Sequence, residues 1–143
     1  MIWGSKMMNG SVGHQARILV VDDEPVIAME LEYMLVEAGF TIAGVTGNLQ
    51  TALSLVESGI CDAAILDANL NGVSATPIAV ALVARGLPVL VLSGYAPDQQ
   101  HEALRAGRWL QKPADPVHVI KVLNQILSEN KLRPDLGTVP QMV

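Results

Sequence analysis

The sequence predicts a doubly wound α/β domain: a five-stranded parallel sheet with five helices on its two faces. Three observations predict it. Five short aliphatic runs, Ile18 to Val21, Ile42 to Val45, Ala63 to Leu66, Val89 to Leu92 and Trp109 to Leu110, alternate with longer segments of helical pattern. These runs are continuous rather than alternating, as strands covered on both faces require. The segments between them are too long for hairpins, so right-handed crossovers must join consecutive parallel strands.

The elements carry recognisable punctuation. Residues 1–16 contain Gly4, Gly10 and Gly13, lack periodicity, and read as a flexible N-terminal segment in which Met7 or Met8 could equally be the start. The domain then spans 17–130. Pro25 suits the first turn of the first helix and Gly39 its stop, with Ile27, Leu31, Met34 and Leu35 as the inward stripe. Asn48 is placed to cap a second helix that ends at Gly59, with Leu49, Ala52, Leu53 and Val56 inward. The third helix spans Ser74 to Arg85 and stops at Gly86; a short polar fourth runs from Pro97-Asp98 to Ala106-Gly107. The fifth runs from Pro116 to Asn130. Residues 131–143, with Pro134, Gly137 and Pro140, read as a flexible C-terminal tail.

Composition narrows the function classes. A chain of 143 residues is one domain in expectation, large enough to bury a core. Half the residues are apolar, yet no apolar stretch approaches the roughly 20 needed to cross a bilayer, so no membrane role is expected. The single cysteine, Cys61, precludes an internal disulfide and suits a reducing compartment. The amino terminus lacks a secretory pattern, which makes a cytoplasmic location the expectation. A net charge of −5 without a Lys/Arg block is a poor match to nucleic acid.

In an open parallel sheet, chemistry gathers at the carboxyl edge of the strands. Here that edge collects Asp22, Asp23 and Glu24 after the first strand, Asp67 and Asn69 after the third, Ser93 after the fourth and Lys112 after the fifth. Converging carboxylates repel one another unless something cationic joins them. A hard divalent cation with oxygen ligands suits the set: Mg²⁺, or Mn²⁺ in its place, binds through one or two carboxylates and takes a phosphoryl oxygen. With Lys112 as a fixed positive charge and Ser93 as a hydroxyl donor, the edge is equipped for phosphoryl transfer to an aspartate nucleophile.

These landmarks, in this order and each at a strand end, resemble the receiver (CheY-like) domain of two-component response regulators over about Arg17 to Asn130. The resemblance implies a flavodoxin-like strand order, 2-1-3-4-5, and a protein switched by phosphorylation; with no output domain after Asn130 a stand-alone regulator is the expectation, and a span of a hybrid kinase or of a longer regulator is the alternative. It implies Asp67 as phosphoacceptor, Asp22 and Asp23 as metal-holding carboxylates with Asp23 direct, and the Asn69 backbone carbonyl as a further ligand. Ser93 and Lys112 match the conserved hydroxyl and lysine, and Pro113 the proline that follows in a cis peptide. It also implies partners: a histidine kinase or histidine phosphotransfer protein as phosphodonor, and a downstream protein target. No catalysis is implied beyond the domain's own phosphorylation and dephosphorylation.

Three departures stand out. Many receivers follow the phosphoacceptor with a Met-Pro pair, whereas this chain reads Asp67-Ala68-Asn69-Leu70-Asn71-Gly72. The segment Leu92-Ser93-Gly94-Tyr95 is similar to the Thr-Gly-Tyr-type loop of an alphaproteobacterial subgroup. The usual switch aromatic is replaced by Trp109, larger than Tyr or Phe, so that Tyr95 is expected to share or take over the readout and to shield the acyl phosphate from water. In the last helix, Val119, Leu123 and Ile126 suffice for a core stripe, which leaves Ile120, Val122 and Leu127 either for a partner or homodimer surface on the helix 4–strand 5–helix 5 face or for tight packing over a shifted stripe.

Other readings stand beside this one. A Mg-dependent aspartate-nucleophile phosphohydrolase would carry a second Asp two residues after the nucleophile, where this chain has Asn69. A phosphorylation-independent interaction module has no need of Asp22, Asp23, Asp67 and Lys112 together. The segment His101-Glu102-Ala103-Leu104-Arg105 is similar to a kinase phosphoacceptor box, but it lies within the receiver span without a dimerising helical hairpin. His14 and His118 lack ligand companions and are expected at the surface, while Cys61 is expected as a small buried hydrophobe.

Overall fold

The apolar runs form the strands of one twisted sheet, and their continuity is explained by helices on both sides. The computed structural model describes residues 16–94 and 107–131. Along the chain these are β1 (Arg17–Val21), α1 (Pro25–Glu37), β2 (Thr41–Thr46), α2 (Leu49–Glu57), β3 (Ala63–Asp67), β4 (Asn69–Leu70), β5 (Val73–Ser74), α3 (Thr76–Ala84), β6 (Val89–Ser93), β7 (Arg108–Gln111) and α4 (Pro116–Lys131). The main sheet has the order β2-β1-β3-β6-β7 with every pair parallel. Numbering only these five strands turns this into 2-1-3-4-5, the order expected.

Successive residues of each strand feed opposite faces. Leu19, Val21, Ala64, Leu66, Val89 and Val91 pack with Ala52 and Val56 of α2 and with Ile78, Ala79 and Leu82 of α3. Ile18, Val20, Ala63, Ile65, Leu90 and Leu92 pack on the other side with Leu31 and Leu35 of α1 and with Val119, Leu123 and Ile126 of α4. Both sets are apolar because both faces are covered. Cys61 is buried in the first cluster and His118 is exposed.

The local signals act as the sequence predicts at most helix ends. Pro25 opens α1, and the Asn48 side chain accepts from the Thr51 N–H at 2.8 Å to cap α2. Gly39, Gly59 and Gly86 follow their helices with left-handed φ values of 97°, 77° and 70°. At the foot of β1, the Asp62 carboxylate accepts from the Arg17 backbone N–H (2.7 Å), Nε (3.0 Å) and Nη2 (2.9 Å), clamping β1 to the entrance of β3.

Two expectations are corrected. The third helix starts at Thr76 rather than Ser74, because Ser74 pairs with Asn69 in a two-stranded hairpin, β4–β5. Its turn residues, Asn71 and Gly72, both have positive φ (54° and 85°), the conformation that an Asn-Gly pair accommodates and that suits a two-residue hairpin. In α4, Val122 and Leu127 are buried and Ile120 is partly buried against the same cluster. The helix packs against both the sheet and α1, so the apolar stripe needed is wide: Val119, Val122, Leu123, Ile126 and Leu127 recur at i, i+3, i+4, i+7 and i+8. The apolar excess expected to form a dimer surface is core. Among the described residues there are four helices; the segment expected as the short polar helix, together with Tyr95, lies outside them. No helix among the described residues is long and apolar enough to cross a membrane.

Candidate functional site at the carboxyl edge of the sheet

Parallel pairing brings the predicted residues to one level. Asp67 closes β3 and pairs with Leu92, and Ser93 closes β6 and pairs with Gln111, the residue before Lys112. The Lys112 N–H donates to the Ser93 carbonyl at 2.7 Å, and the Asp22 N–H donates to the Thr46 carbonyl at 3.0 Å, extending the ladder on both sides of β3. Ser93, Asp22 and Asp67 are 1%, 4% and 6% exposed, and they are the buried polar or charged residues among those described. Burying a charge is costly unless it is paired, so this concentration marks the site.

One ammonium serves three carboxylates. Lys112 Nζ lies 3.0 Å from Asp67 Oδ2, 3.2 Å from Glu24 Oε1 and 3.5 Å from Asp22 Oδ2. The remaining Asp67 oxygen, Oδ1, accepts from the Asn69 N–H at 3.1 Å, and Asp22 Oδ1 accepts from the Glu24 N–H at 2.9 Å. Desolvation pushes the Asp67 carboxyl up to about 6 against the bonds from Asn69 and Lys112, which lower it, and desolvation likewise raises Asp22. Burial alone would lower the Lys112 ammonium. The hydrogen bond to Asp67 and the charges of Asp67 and Asp22 outweigh it, and the ammonium is held well above its ordinary range.

The sequence-predicted residues do not all converge. Oxygens of Asp22, Glu24 and Asp67 lie within 4.8 Å of one another, while Asp23 stands outside that group and its Oδ2 accepts from the Asn71 N–H at 3.0 Å. The Lys112–Pro113 peptide is cis. Trp109, on β7 beside Val91, is half-buried against the cluster that includes α2 and α3.

What the donor set leaves unsatisfied suits a divalent cation. Asp22 Oδ2 is buried and receives no hydrogen bond, and three carboxylates share the single ammonium. An all-oxygen cluster with an unbonded, buried carboxylate oxygen and excess negative charge fits a hard cation such as Mg²⁺.

Two features escaped the sequence reading. A Cβ on Gly47 would stand 2.8 Å from the Asp23 Cα and 3.0 Å from the Asp22 carbonyl, so this glycine lets β2 close against the acidic loop. Nothing in the sequence ties Gly47 to that loop. Along α1, Val26, Met29, Tyr33 and Val36 are all more than half exposed and share one face, a pattern visible in their i, i+3, i+7, i+10 spacing. Val117 at the start of α4 is exposed, and with Val26, Met29, Tyr33 and Pro116 it lines one surface cavity of about 530 Å³.

Comparison with known proteins adds three relatives. The family model of the response regulator receiver domain matches residues 18–124. An uncharacterised 14.6 kDa protein of Leptolyngbya boryana is 33% identical over 118 residues, covering 78% of this chain and 89% of its own. The transcriptional regulatory protein PdtaR of Mycobacterium tuberculosis is 34% identical over 104 residues, which cover 68% of this chain and 49% of PdtaR, so the chain spans about half of that relative. The solution structure of SdrG from Sphingomonas melonis Fr1 is similar at 41% identity and a TM-score of 0.66, covering 77% of this chain and 94% of SdrG. The BeF3-activated conformation of SdrG matches at 42% identity and a TM-score of 0.64, covering 78% and 95%.

Proposed function

Because the chain belongs to the response regulator receiver domain family of two-component signalling, we propose that it is a phosphorylation-switched regulator that accepts a phosphoryl group on Asp67 and signals through protein contact. The observation that carries this reading is Asp67 itself: a buried carboxylate at the end of the central strand, with Oδ2 held by Lys112 Nζ at 3.0 Å and Oδ1 by the Asn69 N–H at 3.1 Å.

In the transfer, a carboxylate oxygen of Asp67 attacks phosphorus as the phosphorus–nitrogen bond of a phosphohistidine donor breaks. The electron pair of that bond returns to the imidazole, which takes a proton. Lys112 offsets charge on the phosphoryl oxygens, and Ser93 supplies a hydroxyl at the neighbouring strand end. Asp22, Glu24 and Asp67 are the clustered groups that would hold Mg²⁺, with Asp23 and the Asn69 carbonyl as the further ligands the family resemblance implies. When bound, the cation supplies charge neutralisation for the incoming phosphoryl group. Lys112 balances only part of the carboxylate charge in the meantime.

For the phosphodonor, a histidine kinase or histidine phosphotransfer protein, the exposed stripe Val26, Met29, Tyr33 and Val36 offers an apolar contact on the helix that follows the acidic loop. Incubation with acetyl phosphate and Mg²⁺ followed by intact mass tests the central claim. A gain of one phosphoryl group, absent in Asp67→Ala, is the expected result. No gain in the wild-type protein would overturn it, and hydrolysis of external phosphate esters with turnover would move the reading to an enzyme.

A further inference from the structure

Asp23 is the acidic residue that the hairpin keeps for itself, and we propose that the Asn71 backbone N–H competes with a divalent cation for the Asp23 carboxylate, so that the β4–β5 hairpin tunes the cation affinity of the site. This inference rests on the cation-binding reading of the same site.

The competing donor is rigidly presented. The Asn71 N–H reaches Asp23 Oδ2 at 3.0 Å across 48 residues of sequence. Asn71 and Gly72 hold the turn with φ values of 54° and 85°, and the Gly72 N–H donates to Asn69 Oδ1 at 2.8 Å across it. The base of the hairpin is tied on both sides: the Asn69 N–H donates to Asp67 Oδ1 at 3.1 Å, and the Ala75 N–H to the Ala68 carbonyl at 2.9 Å. The tip amide has little freedom to follow a carboxylate that moves.

Asp23 is restrained from behind as well. Gly47 is in close approach to its Cα, so the backbone of the acidic loop is backed by β2 and the side chain is the part free to turn. Asp22, Glu24 and Asp67 lie within 4.8 Å of one another and Asp23 is the neighbouring carboxylate outside that group, so on this proposal a turn of its side chain toward them carries Oδ2 away from the Asn71 N–H. The amide bond lost in that rotation is a cost subtracted from cation binding. The hairpin is therefore coupled to the site twice, through Asp67 and through Asp23, and loading loosens the second tie.

The test is a Mg²⁺ titration of the isotope-labelled full chain, followed by the Asn71 amide resonance and in parallel by calorimetry. As Asp23 leaves, the Asn71 resonance is expected to lose its carboxylate-bonded shift in step with saturation. Asn71→Pro removes the N–H but cannot adopt a φ of 54°; provided its Asn69 and Ala75 amide shifts show the hairpin base intact, it is expected to bind Mg²⁺ about fivefold more tightly, the scale of one modest hydrogen bond. Asn71→Gly, which keeps both the donor and the turn, should retain the wild-type affinity. An Asn71 resonance that keeps its bonded shift at saturation overturns the proposal, whatever the fold of the proline variant. Mg²⁺ binding to the wild type with the Asn71 shift unchanged overturns it while leaving the site reading intact; no binding to the wild type removes both.

Discussion

Lys112 Nζ donates to Asp67 Oδ2 at 3.0 Å although the two residues are 45 apart in sequence and their strands, β7 and β3, are separated in the sheet by β6. The bond therefore spans the mouth of the site above Ser93, the last residue of the intervening strand. It also makes Lys112 the common partner of Asp67, Asp22 and Glu24.

Removing that partner leaves the carboxylates facing one another. Lys112→Met is expected to destabilise the chelator-treated protein by about 1–3 kcal/mol, less than a fully buried pair because the lysine keeps some solvent access. Urea denaturation with and without Mg²⁺ checks this, and added Mg²⁺ should return part of the loss.

The raised carboxyl of Asp67 gives a signed pH dependence. Its folded value of about 6 stands above the unfolded value of 3.8, so in the absence of divalent cations the folded state binds the proton more tightly. The associated stability is present below about pH 4 and is lost as pH rises toward 6. Asp67→Asn, which stays neutral, should escape this loss and gain on the wild type by on the order of 3 kcal/mol between pH 4 and 7. Denaturant titrations of both proteins in EDTA across that range would show parallel curves if Asp67 titrated normally.

Gly47→Ala places a methyl group against backbone, 2.8 Å from the Asp23 Cα, where no side chain is available to yield. A loss of about 1–3 kcal/mol is expected from the overpacking, with slower acetyl-phosphate labelling of Asp67 as the acidic loop shifts. Thermal unfolding and intact-mass time courses measure the two effects separately.

The α1 stripe should be dispensable for folding. Met29→Ser combined with Tyr33→Ser changes exposed positions and should alter stability by no more than about 0.5 kcal/mol. Labelling by acetyl phosphate, which needs no protein contact, should be unchanged. Transfer from a phosphorylated histidine protein should slow severalfold, and equal loss with both donors would show that the stripe serves the fold instead.

Much of this was legible before any coordinate. Continuous aliphatic runs such as Ala63 to Leu66 record burial on both faces, and Asn48 and Gly59 record helix ends, because burial and capping are properties of a few neighbouring residues. The order of Asp22, Asp67, Ser93 and Lys112 at strand ends was legible for the same reason: once the strands are parallel, their carboxyl ends must share an edge. The exposed face of α1 was also written in the spacing of Val26, Met29, Tyr33 and Val36, but the inward stripe was read and its complement was not.

What only the tertiary structure decided is how those residues are shared out. Sequence spacing places Asp22, Asp23 and Glu24 together and says nothing of which two Lys112 meets or which one Asn71 takes across 48 residues. It leaves the width of the α4 stripe open, because that depends on α4 packing against α1 as well as the sheet. It leaves Gly47 an ordinary turn residue until β2 is laid against the acidic loop. Periodicity encodes how deeply a residue is buried, whereas pairing depends on strand order and side-chain direction, which exist only after the sheet has assembled.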